Sequence, residues 1–133
     1  MGHIYQKVQI EAERSAAVTM LVDTGATYSM IPLSLARLIG IKRLRRRVTV
    51  RLADGRRLRL GAGTAIFHID GRQAPVTVLV GEVDEPILGV ESLEGLGLVA
   101  DPGRKRLTPS RPYAVRLGAI VDRLFVSALR YFP

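Results

Sequence analysis

An all-β domain carrying two short helices is the fold this sequence predicts, and three patterns predict it. Apolar and polar residues alternate with period two in several short runs, as in strands with one buried face. Two Asp-Gly pairs, Asp54-Gly55 and Asp70-Gly71, fall between such runs and mark hairpins. Two apolar runs, one ending at Asp23 and one at Leu88, each reach a glycine and then give way to a short helical pattern. Short strands joined by tight turns build a barrel or a sandwich.

The first strand places Ile4, Val8, Ile10 and Ala12 on one face and Tyr5, Lys7, Gln9 and Glu11 on the other, with Gln6 interrupting the apolar side. Glu13-Arg14-Ser15 is a polar turn. Ala17 to Val22 forms a second strand that ends in Asp23. After Gly25 the chain passes through Ser29, Met30 and Ile31 into a helix over 32–39, with Pro32 in its first turn and Gly40 as its stop. Val48 to Leu52 and Arg57 to Leu60 alternate on either side of a turn at Ala53, Asp54, Gly55 and Arg56, a hairpin too basic to be buried. Gly61 and Gly63 are expected to loosen the chain before a strand over 64–69, and Asp70-Gly71 turns it into another over 74–80.

Gly81 to Glu85 is an acidic loop. Pro86-Ile87-Leu88-Gly89 repeats the arrangement at Asp23, with a helix through Val90, Leu93 and Leu96 that Gly97 stops, so the chain suggests two similar halves. Leu98 to Ala100 and Arg106-Leu107 flank Asp101-Pro102-Gly103 as a closing hairpin. From Arg111 the character changes. Leu117, Ile120, Val121, Leu124, Ala128 and Leu129 recur at helical spacing, which predicts an amphipathic helix over 115–131 that packs on its own domain, on a second chain or on a membrane surface.

A chain of 133 residues with 47% hydrophobic content suffices for one continuous core. The lack of cysteine excludes disulfides and thiolate metal sites and fits a reducing, cytoplasmic setting. Two histidines far apart in sequence, His3 and His68, do not suggest a metal cluster, so neither metal nor cofactor is expected. The polar opening residues do not read as a secretory signal, and no stretch has the apolar length of a membrane span.

The net charge of +8 is concentrated in Lys42, Arg43, Arg45, Arg46, Arg47, Arg51, Arg56, Arg57 and Arg59. That run is either a solvated hairpin face or a surface for nucleic acid or acidic protein. It holds no aromatic residue to stack on bases, which argues against sequence-specific single-strand recognition.

Asp23 stands apart from the other acids. A carboxylate at the end of an apolar strand is costly to place without a partner, and packing gives it no purpose. As a structural residue it would be a helix cap or a turn former. Leu21-Val22-Asp23-Thr24-Gly25-Ala26, a glycine-tipped hairpin, the strand Val76-Thr77-Val78-Leu79-Val80, Ile87-Leu88-Gly89 before a helix, and a closing hairpin follow in order. In that order and spacing the chain resembles the retroviral-type, or retropepsin-like, aspartic proteases, including small prokaryotic ones, over about residues 3–110.

The resemblance implies a closed acid-protease barrel with short helices, one protomer of a symmetric dimer, with a protease domain over 1–110 and an extension over 111–133. It makes Asp23 the catalytic aspartate, Thr24 a hydrogen-bonding residue across the dimer interface, and Gly25 the point where substrate backbone approaches. Ala26, Thr27, Ile87 and Leu88 would contact substrate from below, and Ala53, Asp54 and Gly55, at the flap tip, from above. Retroviral members carry more glycines at that tip.

Aspartic protease chemistry needs two carboxylates that share a proton, and this chain holds no second Asp-Thr-Gly or Asp-Ser-Gly. A homodimer would supply the second. The expected function is therefore an aspartic endopeptidase acting on polypeptide. The alternative is a non-catalytic dimer of the same fold that holds nucleic acid or acidic protein on its basic hairpin.

Overall fold

The computed structural model describes residues 2–52 and 54–110. The helix expected over 115–131 lies outside them. In chain order the elements are β1 (Tyr5–Glu11), β2 (Ser15–Val22), β3 (Ser29–Pro32), α1 (Leu33–Ile39), β4 (Arg43–Arg51), β5 (Arg57–Ile69), β6 (Arg72–Gly81), β7 (Ile87–Leu88), α2 (Val90–Leu96), β8 (Leu98–Asp101) and β9 (Arg106–Pro109). The fold is all-β, as the alternation predicts.

Seven strands form one sheet in the order β1-β2-β7-β3-β6-β5-β4, and β1 also pairs with β5. The expected closed barrel is thus a ring-like sheet. β5 makes this possible by its length: residues 61–69 pair with β6 along one edge, while the other edge pairs first with β4 and then, over 66–68, with β1. β4 hangs outside the ring, and β8 and β9 form a separate hairpin.

Two differences from the sequence reading have local causes. Ser29–Pro32 is a strand and not merely a lead into the helix; it pairs in parallel with β6 and against β7 at Met30↔Ile87. Ser29, Met30 and Ile31 are all buried, so the alternation that reveals a half-exposed strand is missing. Gly61 and Gly63 do not loosen the chain but lie inside β5. At Gly63 an added Cβ would come within 2.6 Å of Ile41 Cγ2 and 2.9 Å of the Lys42 carbonyl oxygen, so glycine there admits a close backbone neighbour.

The same Asp-Gly dipeptide makes two different turns. Asp70 and Gly71 both take positive φ, 47° and 78°, and join β5 to β6 with two residues, since Ile69 pairs with Arg72. At the first pair Gly55 has positive φ, 88°, and Asp54 does not; the Gly55 N–H donates to the Leu52 carbonyl at 3.0 Å and the Leu52 N–H to the Arg56 carbonyl at 2.8 Å. Both helices stop as predicted at glycines in the left-handed region, Gly40 and Gly97. An arginine from a neighbouring hairpin covers each helix end. Arg14 donates to the carbonyls of Leu38 and Arg37, and Arg72 to those of Leu96 and Gly97.

The main core gathers Val8, Ile10, Met20, Ile31, Ile39, Phe67, Val78, Leu88 and Leu96 inside the ring. A second cluster of Met30, Leu60, Ala62 and Leu79, with Val48, Val50 and Leu58 against it, lies beneath the β4–β5 hairpin. This second cluster forms the wall of the candidate site.

Candidate active site

Asp23 stands where β2 ends, half-buried, and its placement follows from the strand that feeds it. Leu21 and Val22 pair in parallel with Ile87 and Leu88, and the Asp23 N–H continues the ladder to the Leu88 carbonyl at 3.0 Å. The chain then folds back sharply. The Gly25 N–H donates to Asp23 Oδ1 at 2.9 Å, and the Ala26 N–H donates to the Asp23 carbonyl at 3.1 Å. A Cβ on Gly25 would sit 3.2 Å from that carboxylate oxygen, so glycine keeps the acid uncrowded.

The loop after Asp23 is bound to the second strand-glycine-helix unit. The Val90 N–H donates to the Ala26 carbonyl at 2.8 Å and the Glu91 N–H to the Thr27 carbonyl at 2.9 Å. Beneath them, Ser29 Oγ accepts the Gly89 N–H at 3.0 Å and lies 2.6 Å from Ser92 Oγ, with both serines fully buried. Such a buried polar group, fully satisfied, specifies one arrangement, because each lost partner costs about 1–3 kcal/mol. The two halves suggested by the sequence are therefore interlocked at the candidate site.

A cleft of about 630 Å³ opens above Asp23. Its floor is Asp23, Gly25, Ala26, Thr27 and Ile87, five of the residues expected to serve the site. Its opposite wall is the consecutive stretch Val48 to Leu52 of the hairpin stem, with Tyr28, Met30 and Leu79 completing it. Alternation in β4 sets Val48 and Val50 apart from Thr49 and Arg51, but only the fold brings this stretch opposite Asp23.

The remaining expected residues lie elsewhere. Leu88 is fully buried in the main core, on the opposite side of β7 from Ile87, because successive strand residues point apart. Thr24 is exposed beside the cleft, outside its lining. Asp54 and Gly55 stand at the exposed hairpin tip, beyond the part of the hairpin that borders the cleft. Ala53 lies outside the described residues.

At that tip Asp54 accepts the Arg56 N–H at 3.0 Å and the Arg56 Nε at 2.6 Å. The backbone hydrogen bond, followed by the guanidinium, holds its carboxyl below the ordinary aspartate value. A lowered folded-state pKa means the turn gains its support above the ordinary carboxylate range and loses it as pH falls through the lowered value. Hydrogen exchange of the Arg56 amide should accordingly quicken relative to an Asp54→Asn variant only under strongly acidic conditions. A rise in relative exchange at neutral pH would contradict this.

No second carboxylate lines the cleft with Asp23 among the described residues. Asp70 is committed to the β5–β6 turn, and Asp101 accepts the Arg104 N–H at 3.2 Å. Among the described residues no cluster of three or more His, Asp or Glu side chains is placed to hold a metal ion. No described helix is long and apolar enough to cross a membrane.

The family model described as "gag-polyprotein putative aspartyl protease" matches residues 7–95. The solved EIAV protease, complexed with the inhibitor HBY-793, superposes with a TM-score of 0.60 at 21% sequence identity, over 72% of this chain and 89% of that one. No curated protein matches the chain.

Proposed function

We propose, from the premise that this chain belongs to the gag-polyprotein aspartyl protease family, that residues 1–110 form an endopeptidase domain whose catalytic unit is a homodimer. The observation that carries this is Asp23, the one carboxylate among the described residues that line a cleft of about 630 Å³. Two carboxylates about 3 Å apart cannot both ionise, so a pair contributed by two copies would hold one proton between them. The ionised member takes a proton from water as its oxygen attacks the scissile carbonyl carbon. The protonated member gives its proton to the carbonyl oxygen. The adduct then collapses with protonation of the amide nitrogen, and the C–N bond breaks.

The surroundings of Asp23 suit this role. The glycine after Thr24 leaves room for a substrate backbone, and β4 is the free edge of the sheet, so an extended peptide lying over Asp23 can pair with Val48–Leu52 as an added strand. Ala26, Thr27 and Ile87 would meet its side chains from below. The flap tip, Ala53 to Gly55, would close over the peptide once it is bound, and Leu88 would support Ile87 from the core. Thr24, exposed next to Asp23, is free to meet its counterpart across the two-fold axis. The cysteine-free composition suits a reducing cytoplasm.

Dilution tests the proposal. With a mixed peptide library as substrate, activity per chain should be constant at high protein concentration and fall in proportion to concentration once dimers dissociate. Cleavage whose activity per chain is unchanged while sedimentation shows the protein monomeric would overturn the two-chain mechanism.

A further inference from the structure

The β4–β5 hairpin has a second face, of which only Thr49 and Arg51 border the cleft. Arg51 pairs directly with Arg57, Thr49 with Arg59 and Arg47 with Gly61, so four arginines project from one side of the two strands. All four are exposed. Val48, Val50, Leu58 and Leu60 project from the other side into the second hydrophobic cluster. Alternate residues along a strand lie about 7 Å apart and neighbouring strands about 5 Å apart, which places the four guanidinium stems in a patch roughly 13 by 5 Å.

Several other arginines of the chain are engaged. Arg14, Arg56, Arg72 and Arg104 each hold a carbonyl or a carboxylate. Among the described residues, the side chains of Arg47, Arg51, Arg57 and Arg59 make no hydrogen bond or ion pair. Glu82 borders the shallow depression beside Arg47 and Arg59 without forming an ion pair with either. Like charges directly opposed across two strands destabilise a hairpin. An external polyanion would relieve that repulsion.

We propose that this outer face binds the phosphodiester backbone of a nucleic acid without reading its sequence. The other side chain on the face is Thr49, with Gly61 beside it, so it lacks the apolar centre that protein interfaces have; interfaces with nucleic acid are polar and strongly positive. Arginine forks fit phosphate oxygens, and the lack of aromatic residues leaves bases unstacked. Arg47, Arg57 and Arg59 stand outside the cleft lining, so polyanion and peptide can be held together. This inference rests on the single chain and does not depend on hydrolysis.

The test uses the full-length protein and a labelled single-stranded oligothymidylate of about 20 nucleotides, titrated at several salt concentrations. Four phosphate contacts predict a slope of log K against log salt near −3, at about −0.7 per contact. Replacing Arg47, Arg57 and Arg59, which lie outside the cleft floor, each by Gln should remove about 2 of that slope. Removing equal charge elsewhere, as Arg37→Gln, Arg104→Gln and Arg106→Gln, should leave it unchanged. Should the triple variant fail to fold, each single replacement is expected to remove about 0.7. The inference is overturned by absent binding at low salt, by an unchanged slope in the hairpin variants, by an equal loss in the control, or by tighter binding of a glutamate-rich peptide of matched charge.

Discussion

Asp23→Asn is expected to lower peptide hydrolysis by on the order of 10³-fold or more while leaving the protein folded. The change is nearly isosteric, and the amide oxygen can still accept the Gly25 N–H that now reaches Asp23 Oδ1 at 2.9 Å, so the turn retains its geometry. What disappears is the proton exchange: an amide neither takes a proton from water nor donates one as an acid. Circular dichroism and sedimentation should match the unaltered protein. Mixing adds a sharper test. In a dimer with one acid from each chain, mixed dimers are inactive, so an equal amount of variant should roughly halve the activity of the unaltered chains under exchange. Peptidase activity that survives in the pure variant would remove Asp23 from the mechanism.

Gly89→Ala is expected to destabilise the fold by roughly 2–3 kcal/mol, or about 10 °C in the thermal midpoint. The backbone of Gly89 is extended, with φ −93° and ψ 172°, so the effect is steric. An added Cβ would lie 2.6 Å from the Tyr28 carbonyl carbon, 2.7 Å from its oxygen and 2.9 Å from the Ala26 carbonyl oxygen. These are backbone atoms of the loop that carries Asp23, and they cannot turn aside as a side chain can. The same movement would stretch the hydrogen bond from the Gly89 N–H to Ser29 and those from Val90 and Glu91 to the loop carbonyls. Gly95→Ala supplies the contrast. Its Cβ would make ordinary contact at 3.5 Å with Ala74 inside α2, where alanine is the better helix former by about 0.5–1 kcal/mol. Opposite signs for the two variants in denaturation experiments are the expected result. A neutral Gly89→Ala would show that the loop yields.

The hairpins and helix ends were legible in the sequence because they are decided locally. Asp70-Gly71 can form a two-residue turn by itself, and Gly40 and Gly97 end their helices because the left-handed conformation suits a residue without Cβ. The faces of β1 follow from alternation alone, with Val8 and Ile10 inside and Lys7 and Gln9 outside. Asp23 was conspicuous for a similar reason, a charge at the end of an apolar strand.

Other features depend on partners distant in sequence. Ser29–Pro32 is a strand because β6 and β7 flank it, and β5 continues through two glycines because β6, β4 and β1 all pair with it. Ile87 and Leu88 look equivalent in sequence, yet one faces the cleft and the other the core. Ser29 and Ser92 are ordinary serines until 63 positions of separation close to a 2.6 Å contact. The amino-acid sequence by itself determined the all-β character, the turns, the helix stops and the choice of Asp23 as the candidate acid. Only the tertiary structure decided that the hairpin stem walls the cleft above Asp23 and that four arginines share one face of that hairpin. Periodicity records which face of a segment is buried, whereas what that face meets is set by strand pairing across the ring.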